Sequence, residues 1–202
     1  MTDRTTVVLV DQEGRPTAIA DKTGAHRAPG MLHLAFSVFV FSPQEDLLLQ
    51  QRSRAKYHFP GVWANTCCSH PGPGEDVVES AERRLAEELG LRRSVRSVEG
   101  EERGGAQSGS AHSEGELVLL GPLSRAGRFV YRAECGQSGL VEHELDEVLV
   151  GRAGPGLLLP RFDPSEVEQL RWAPTGEVRG AGEEQGFAPW FARALELAIA
   201  AM

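Results

Sequence analysis

The sequence predicts a single α/β domain. Short apolar and β-branched runs recur between turn signals, one amphipathic helical stretch breaks into them mid-chain, and a second helical stretch closes the chain. At 202 residues, with 41% hydrophobic and 25% charged positions, the chain has the size and composition of one domain that buries a real core.

Residues 5–10 are a β-branched run ended by the turn signal Asp11-Gln12-Glu13-Gly14. Residues 32–41 are apolar at most positions, the pattern of a strand buried on both faces. Ser42-Pro43-Gln44-Glu45-Asp46 reads as a turn and residues 47–51 as the returning strand. Pro60 and Gly61 break the chain before Val62-Trp63-Ala64. Over residues 75–89 the period becomes helical: Val78, Ala81, Leu85 and Leu89 make one apolar stripe, and Gly90 follows as a C-cap. Arg84 and Glu88, four apart, share a face of that helix. Residues 99–115 are rich in Gly, Ser and Glu and predict a flexible surface insertion, with His112 solvated. Strands resume over 117–120, 128–133 and 140–150. In the last, Glu142 and Glu144 lie on one face and His143 on the other, because strand side chains alternate. Asp163-Pro164-Ser165-Glu166 predicts a helix start, with Asp as N-cap, Pro at N1 and Glu at N3. Residues 187–202 predict a closing amphipathic helix.

The net charge of −8 and pI near 5.3 argue against a nucleic-acid partner, although a local basic cluster can still hold a phosphate. Three cysteines are too few for a secreted disulfide scaffold, and the adjacent Cys67 and Cys68 are poorly disposed to bridge each other. The expectation is a reducing, cytoplasmic setting. The N-terminus has no basic-then-apolar leader, and the apolar stretch 187–202, broken by Arg193 and Glu196, is too short to cross a bilayer.

Two segments carry the chemistry: Asn65-Thr66-Cys67-Cys68-Ser69-His70-Pro71 and Val141-Glu142-His143-Glu144. A thiol, an imidazole and two carboxylates on one strand face can make a metal site and an acid/base pair. Taken singly, each has a plainer reading: His33 as a core histidine, the two glutamates as a solvated strand face, Cys68 as a small buried hydrophobe. Residues 69–91 resemble a Nudix box, G-x5-E-x7-R-E-U-x-E-E-x-G-U, where U is apolar. Glu75, Arg83, Leu85, Glu87, Glu88, Gly90 and Leu91 match; Ser69 replaces Gly, and Arg84 stands where the pattern has a metal-holding Glu. The plain alternative is a capped amphipathic helix with surface charges. A guanidinium at that position repels a metal but binds phosphate.

His26 and His33, Pro60-Gly61-Val62-Trp63, Cys68-Ser69-His70-Pro71, Tyr131-Arg132-Ala133, Gly139 through Glu144 and Pro189-Trp190 occur in one order. That ordered set resembles the type I isopentenyl-diphosphate isomerases, enzymes built on the Nudix fold. The resemblance implies a mixed β-sheet packed between helices, with an atypical insertion at about 94–127. It implies movement of a double bond between isopentenyl and dimethylallyl diphosphate through a tertiary carbocation. It assigns proton transfer to Cys68 and to Glu144 assisted by Tyr131, and cation stabilisation to Trp190. It assigns a zinc or manganese ion to His26, His33, His70, Glu142 and Glu144, and a magnesium ion to Glu88 and the diphosphate. It assigns the diphosphate itself to Lys22, Arg52, Lys56 and Arg84. A monomer without a membrane or nucleic-acid partner is expected. His58 is read as a surface histidine, His143 as facing away from the metal, and Cys67 has no role. Three rival readings stay open: a Nudix hydrolase of a nucleoside diphosphate derivative, a catalytically silent binding module on the same fold, and, given the long insertion, an isomerase with altered substrate length or a pathway-specific role.

Overall fold

The protein is described by a computed structural model over residues 5–93, 117–154 and 159–202. In chain order the strands and helices are β1 (Thr6–Val10), β2 (Pro16–Asp21), α1 (Lys22–His26), β3 (His33–Phe41), β4 (Asp46–Arg52), β5 (Trp63–Ala64) and β6 (Cys67–Ser69). There follow α2 (Val77–Leu89), β7 (Arg92–Arg93), β8 (Val118–Leu119), β9 (Ser124–Glu134), β10 (Val141–Arg152), β11 (Val167–Pro174), α3 (Thr175–Val178) and α4 (Phe191–Ala200). Among the described residues, nine strands form one sheet with the path β11-β4-β3-β1-β2, joined by β5, β6, β9 and β10. The sheet is mixed: β10 runs parallel to β3, while its other pairings are antiparallel.

Strand β3 is the axis. Phe36, Val38 and Val40 face one side and pack with Val77, Ala81, Leu85 and Leu89 of α2. Phe39 and Phe41 face the other side and pack with Phe191, Ala194 and Leu195 of α4. Period-two alternation thus gives β3 two apolar faces, one under each helix, as a strand buried on both sides requires. Truncating a fully buried Leu85 to Ala would cost ~2–5 kcal/mol, because the tightly packed layer cannot refill the space.

Helix α2 is bounded by local chemistry. The Asp76 carboxylate accepts from the amides of Val78 and Glu79 at 2.8 and 3.2 Å, and Gly90 ends the helix with φ +64°. Gly30, with φ +84°, works differently: a Cβ there would lie 2.7 Å from Val141 Cγ1, so a larger residue would push the loop before β3 off the start of β10.

Strands over 5–10, 32–41, 47–51, 117–120, 128–133 and 140–150 and helices over 75–89 and 187–202 are all present, with ends moved by a few residues. The helix expected from Asp163 is not. Asp163 does cap a turn, accepting from Ser165 N at 2.8 Å through its carboxylate and from Val167 N at 2.9 Å through its carbonyl. The chain then extends as β11 against β4. A bulge between Val167 and Gln169 puts Val167 and Leu170 in the same core cluster. The Asp-Pro-Ser-Glu pattern that can cap a helix serves a turn here. The flexibility expected for 99–115 and for His112 falls outside the described residues, as does most of the insertion at 94–127.

Candidate active site

Strand register builds the site. Glu144 of β10 pairs with His33 of β3 on one side and Tyr131 of β9 on the other. An imidazole, a carboxylate and a phenol therefore stand in one row across three strands. Strand β6 lies along β3 with Cys68 opposite Ser37, and alternation sends Cys68 toward this row while Cys67 packs beneath α2. Asp21 caps α1 by accepting from Gly24 N at 2.7 Å. One helical turn then brings Lys22 and His26 to the same face.

The imidazoles are oriented by carbonyls. His26 Nδ1 lies 2.7 Å from Lys22 O, and His33 Nδ1 lies 2.7 Å from Met31 O. A carbonyl only accepts, so each Nδ1 carries a proton, and in the neutral ring each Nε2 turns a lone pair inward. Burial would lower the His33 pKa, but its contact with Glu144 raises it, so His33 Nε2 can also take a proton and donate to that carboxylate. His33 Nε2 is 3.2 Å from His70 Nε2 and 3.4 Å from Glu144 Oε1, and His70 Nε2 is 2.9 Å from the same oxygen. One donor atom each from His26, His33, His70 and Glu144 lies within 4.8 Å of the others, and His26 Nε2 is buried without a hydrogen-bond partner. Converging lone pairs, one carboxylate oxygen and an unsatisfied buried nitrogen are what a divalent ion requires, so the donor set fits a metal. Burial holds His26 and, more strongly, His70 below the ordinary histidine range, which keeps them neutral as ligands must be. Burial would raise the Glu144 carboxyl, but hydrogen bonds from His33 and His70 outweigh it and hold it well below the usual range.

Glu142 sits beside this group rather than within it. Its Oε1 is 2.9 Å from His58 Nε2, and it forms a second possible donor group with His26 and His58. His58, expected at the surface, is buried, because the Arg52 guanidinium donates to the carbonyls of His58 and Phe59 at 3.1 and 3.0 Å and pulls that loop inward. Tyr131 OH lies 2.8 Å from Glu142 Oε2 and 2.6 Å from Glu144 Oε2. Its single proton serves one carboxylate at a time, so the phenol bridges the two. His143 points the other way, to Gly30 O at 3.2 Å, as alternation predicts.

Cys68 is set by Asn65. The Asn65 amide donates to the carbonyls of Val38 and Cys67 at 3.1 and 2.9 Å, which turns Oδ1 toward the Cys68 thiol at 3.0 Å and Trp190 Nε1 at 3.1 Å. Burial pushes the Cys68 thiol up to about 12, so it is a protonated acid at neutral pH. Behind it, Ser37 donates to Asp146 at 2.8 Å, and burial raises the Asp146 carboxyl well above its ordinary value.

A cavity of about 290 Å³ unites these groups. Its lining includes Cys68, His70, Tyr131, Glu142, Glu144 and Trp190, and also the basic side chains of Lys22, Arg52, Lys56, Arg83 and Arg84. His26 and His33 stand behind the wall with no exposure, and Glu88 is buried under Arg84, with which it forms an ion pair. All the residues singled out in the sequence thus reach one site or its immediate backing.

The NUDIX domain model matches residues 31–193 of the chain. The isopentenyl-diphosphate Delta-isomerase of Nocardia farcinica is 43% identical over 96% of this chain and 95% of its own length. The enzyme of the same name from Halorhodospira halophila is 39% identical over 94% and 93%. The chain belongs to the isopentenyl-diphosphate Delta-isomerase family. Among solved structures, a Deinococcus radiodurans protein superposes with a TM-score of 0.65 at 16% identity, covering 96% of this chain and 98% of its own, which is a likeness of fold. A MutT protein from Methanosarcina mazei gives 0.53 at 14% identity over 82% and 91%.

Sequence reasoning missed His58, Asn65 and Glu166. Asn65 lies inside the motif segment and had a signal in its position; the other two sit in loops without periodicity and had none. Among the described residues, no helix is long and apolar enough to cross a membrane.

Proposed function

We propose that the protein interconverts isopentenyl and dimethylallyl diphosphate in isoprenoid biosynthesis, using its own side chains for both proton transfers. The observation that carries this reading is a single cavity in which a protonated thiol and a tyrosine-bridged carboxylate pair share the lining with Lys22, Arg52, Lys56 and Arg84, Arg52 lying over the Trp190 ring. In the forward direction the terminal alkene carbon takes a proton, which leaves a tertiary cation. Loss of a proton from the carbon nearer the diphosphate then forms the new double bond. Cys68 and Glu144 are the proton donor and acceptor, and Tyr131 passes hydrogen-bond support between Glu142 and Glu144. The Trp190 ring stabilises the cation by ~2 kcal/mol in a desolvated site. Asn65 fixes both the thiol and the indole. Lys22, Arg52, Lys56 and Arg84 hold the diphosphate, so remote binding energy keeps the five-carbon tail against the reacting groups.

His26, His33, His70 and Glu144 would hold zinc or manganese, with Glu142 joining them from the adjoining group that shares His26, and Glu88 with the diphosphate would hold magnesium. A divalent ion there supplies positive charge that keeps Glu144 ionised and tunes its proton affinity. We read the chain as one domain acting as a cytoplasmic monomer, in keeping with three unpaired cysteines. The hydrolase alternative is disfavoured by Arg84, whose guanidinium pairs with Glu87 and Glu88 where a hydrolase needs a metal-binding carboxylate. Incubation with isopentenyl diphosphate and magnesium tests the choice: dimethylallyl diphosphate without phosphate release is expected, and phosphate release would point to the hydrolase.

A further inference from the structure

We propose that Glu166 is the resident counter-ion of the diphosphate pocket, holding Lys56 and Arg84 when substrate is absent and yielding both to the incoming diphosphate. The inference rests on reading this cavity as a diphosphate site. It adds a residue that sets how tightly that site keeps its anion.

Each oxygen of the Glu166 carboxylate holds one cation. Oε2 is 2.5 Å from Lys56 Nζ, and Oε1 is 3.2 Å from Arg84 Nη2. Glu166 and both partners line the cavity. The placement is built, because the turn that carries Glu166 is tied to both elements that carry the cations. Asp163 N donates to Glu88 O at 2.8 Å, at the end of α2, and Ser53 N donates to Glu166 O at 3.0 Å, three residues before Lys56. This turn stands where the sequence predicted a helix; the extended chain that follows leaves Glu166 directed at the pocket.

The charges explain why a carboxylate sits there. Lys22, Arg52, Lys56 and Arg84 share one small cavity with Arg83, which Glu75 and Glu87 hold; Glu87 and Glu88 pair with Arg84 from α2, and Glu166 is the lining carboxylate that reaches both Lys56 and Arg84. Unbalanced, four neighbouring cations would repel one another and splay. Lys22 already registers the strain, since burial first and then the charge of Lys56 lower its pKa. Burial would raise the Glu166 carboxyl, but Lys56 and then Arg84 pull it down to about 2, so it is ionised throughout the physiological range. It therefore has two opposed effects on a diphosphate. Its position keeps Lys56 and Arg84 preorganised, which favours binding. Its negative charge competes for the same two cations, which weakens binding and hastens release.

The carboxamide isostere separates those effects. Glu166→Gln keeps the shape and one oxygen acceptor but removes the charge; Glu166→Asp keeps the charge. The experiment is calorimetric titration of inorganic pyrophosphate into metal-loaded protein at fixed magnesium, with KM and kcat for isopentenyl diphosphate measured in parallel. Glu166→Gln is expected to bind pyrophosphate roughly three- to tenfold more tightly, the scale of one nearby charge in a partly screened pocket, and to lower KM by a similar factor. Glu166→Asp is expected to stay within about twofold of wild type by the same charge argument. Unchanged or weaker binding by Glu166→Gln overturns the proposal, and so does equal tightening in Glu166→Asp, which would make shape rather than charge the cause. Failure of the wild-type protein to bind pyrophosphate would instead overturn the diphosphate reading of the cavity, and this inference with it.

Discussion

The two ends of the cavity solve opposite electrostatic problems. At the β10 end, imidazole nitrogens and carboxylate oxygens converge, so the local demand is for positive charge. Toward α2, with Arg52 reaching back over the Trp190 ring, the four cations Lys22, Arg52, Lys56 and Arg84 outnumber the three carboxylates Glu87, Glu88 and Glu166, so the demand is for negative charge. At the first end His33, Tyr131, Glu142 and Glu144 project from paired strands, which fixes their spacing. The second is assembled from side chains of α1, β4, α2 and loops, and remains partly exposed at Lys56 and Glu166. The contrast divides the work between precision, where protons move, and capture, where a highly charged ligand must enter and leave.

Substitutions should respect that division. The largest effect is expected at the proton-transfer end. Cys68→Ala or Glu144→Gln should lower kcat by ~10³-fold, within the range for removing a positioned acid or base, while pyrophosphate still binds. Steady-state kinetics beside calorimetry reads both, and near-wild-type turnover in either variant would remove that residue from the chemistry. Lys56→Ala should do the reverse: KM rises about tenfold or more, as for loss of a charged hydrogen bond, with kcat nearly kept. A fall in kcat alone would blur the two ends into one. His58→Ala frees one oxygen of Glu142, and metal affinity in a chelator competition should fall by roughly ten- to a hundredfold, the usual cost of losing a ligand's orienting partner. Unchanged affinity would return His58 to a packing role.

The smallest effect concerns acid stability. The Glu166 carboxyl is lower in the folded than in the unfolded chain, so its contribution is fully present above about pH 4.5, the ordinary glutamate range, and is lost as pH falls toward about 2. Glu166→Gln should therefore flatten the decline of the urea midpoint across that window. Parallel curves for the two proteins would show that the ion pairs with Lys56 and Arg84 do not contribute to stability.

The strand-built end was also the legible one. Alternation along residues 140–150 put Glu142 and Glu144 on one face and His143 on the other, and the strand pairing keeps them there. Helix α2 was readable because its stripe, cap and C-terminal glycine agree. The capture end depends on features that leave little periodic trace. Strand β2 is an exposed edge strand that opens on Pro16 and buries almost nothing, so no apolar alternation announces it. The capping pattern Asp163-Pro164-Ser165-Glu166 closes a turn instead of opening a helix, which hid where Glu166 would point. His58 is drawn inward by Arg52, a partner whose reach only the folded loop reveals.

The central claim is that two protein groups exchange protons with a five-carbon diphosphate in this one cavity. Proton NMR of the metal-loaded protein with isopentenyl diphosphate and magnesium in deuterated buffer tests it most directly. The account predicts dimethylallyl signals with deuterium entering at the methyl formed from the old terminal alkene carbon, and loss of both in Cys68→Ala. Dimethylallyl diphosphate formed without solvent deuterium, or full exchange in Cys68→Ala, would contradict it.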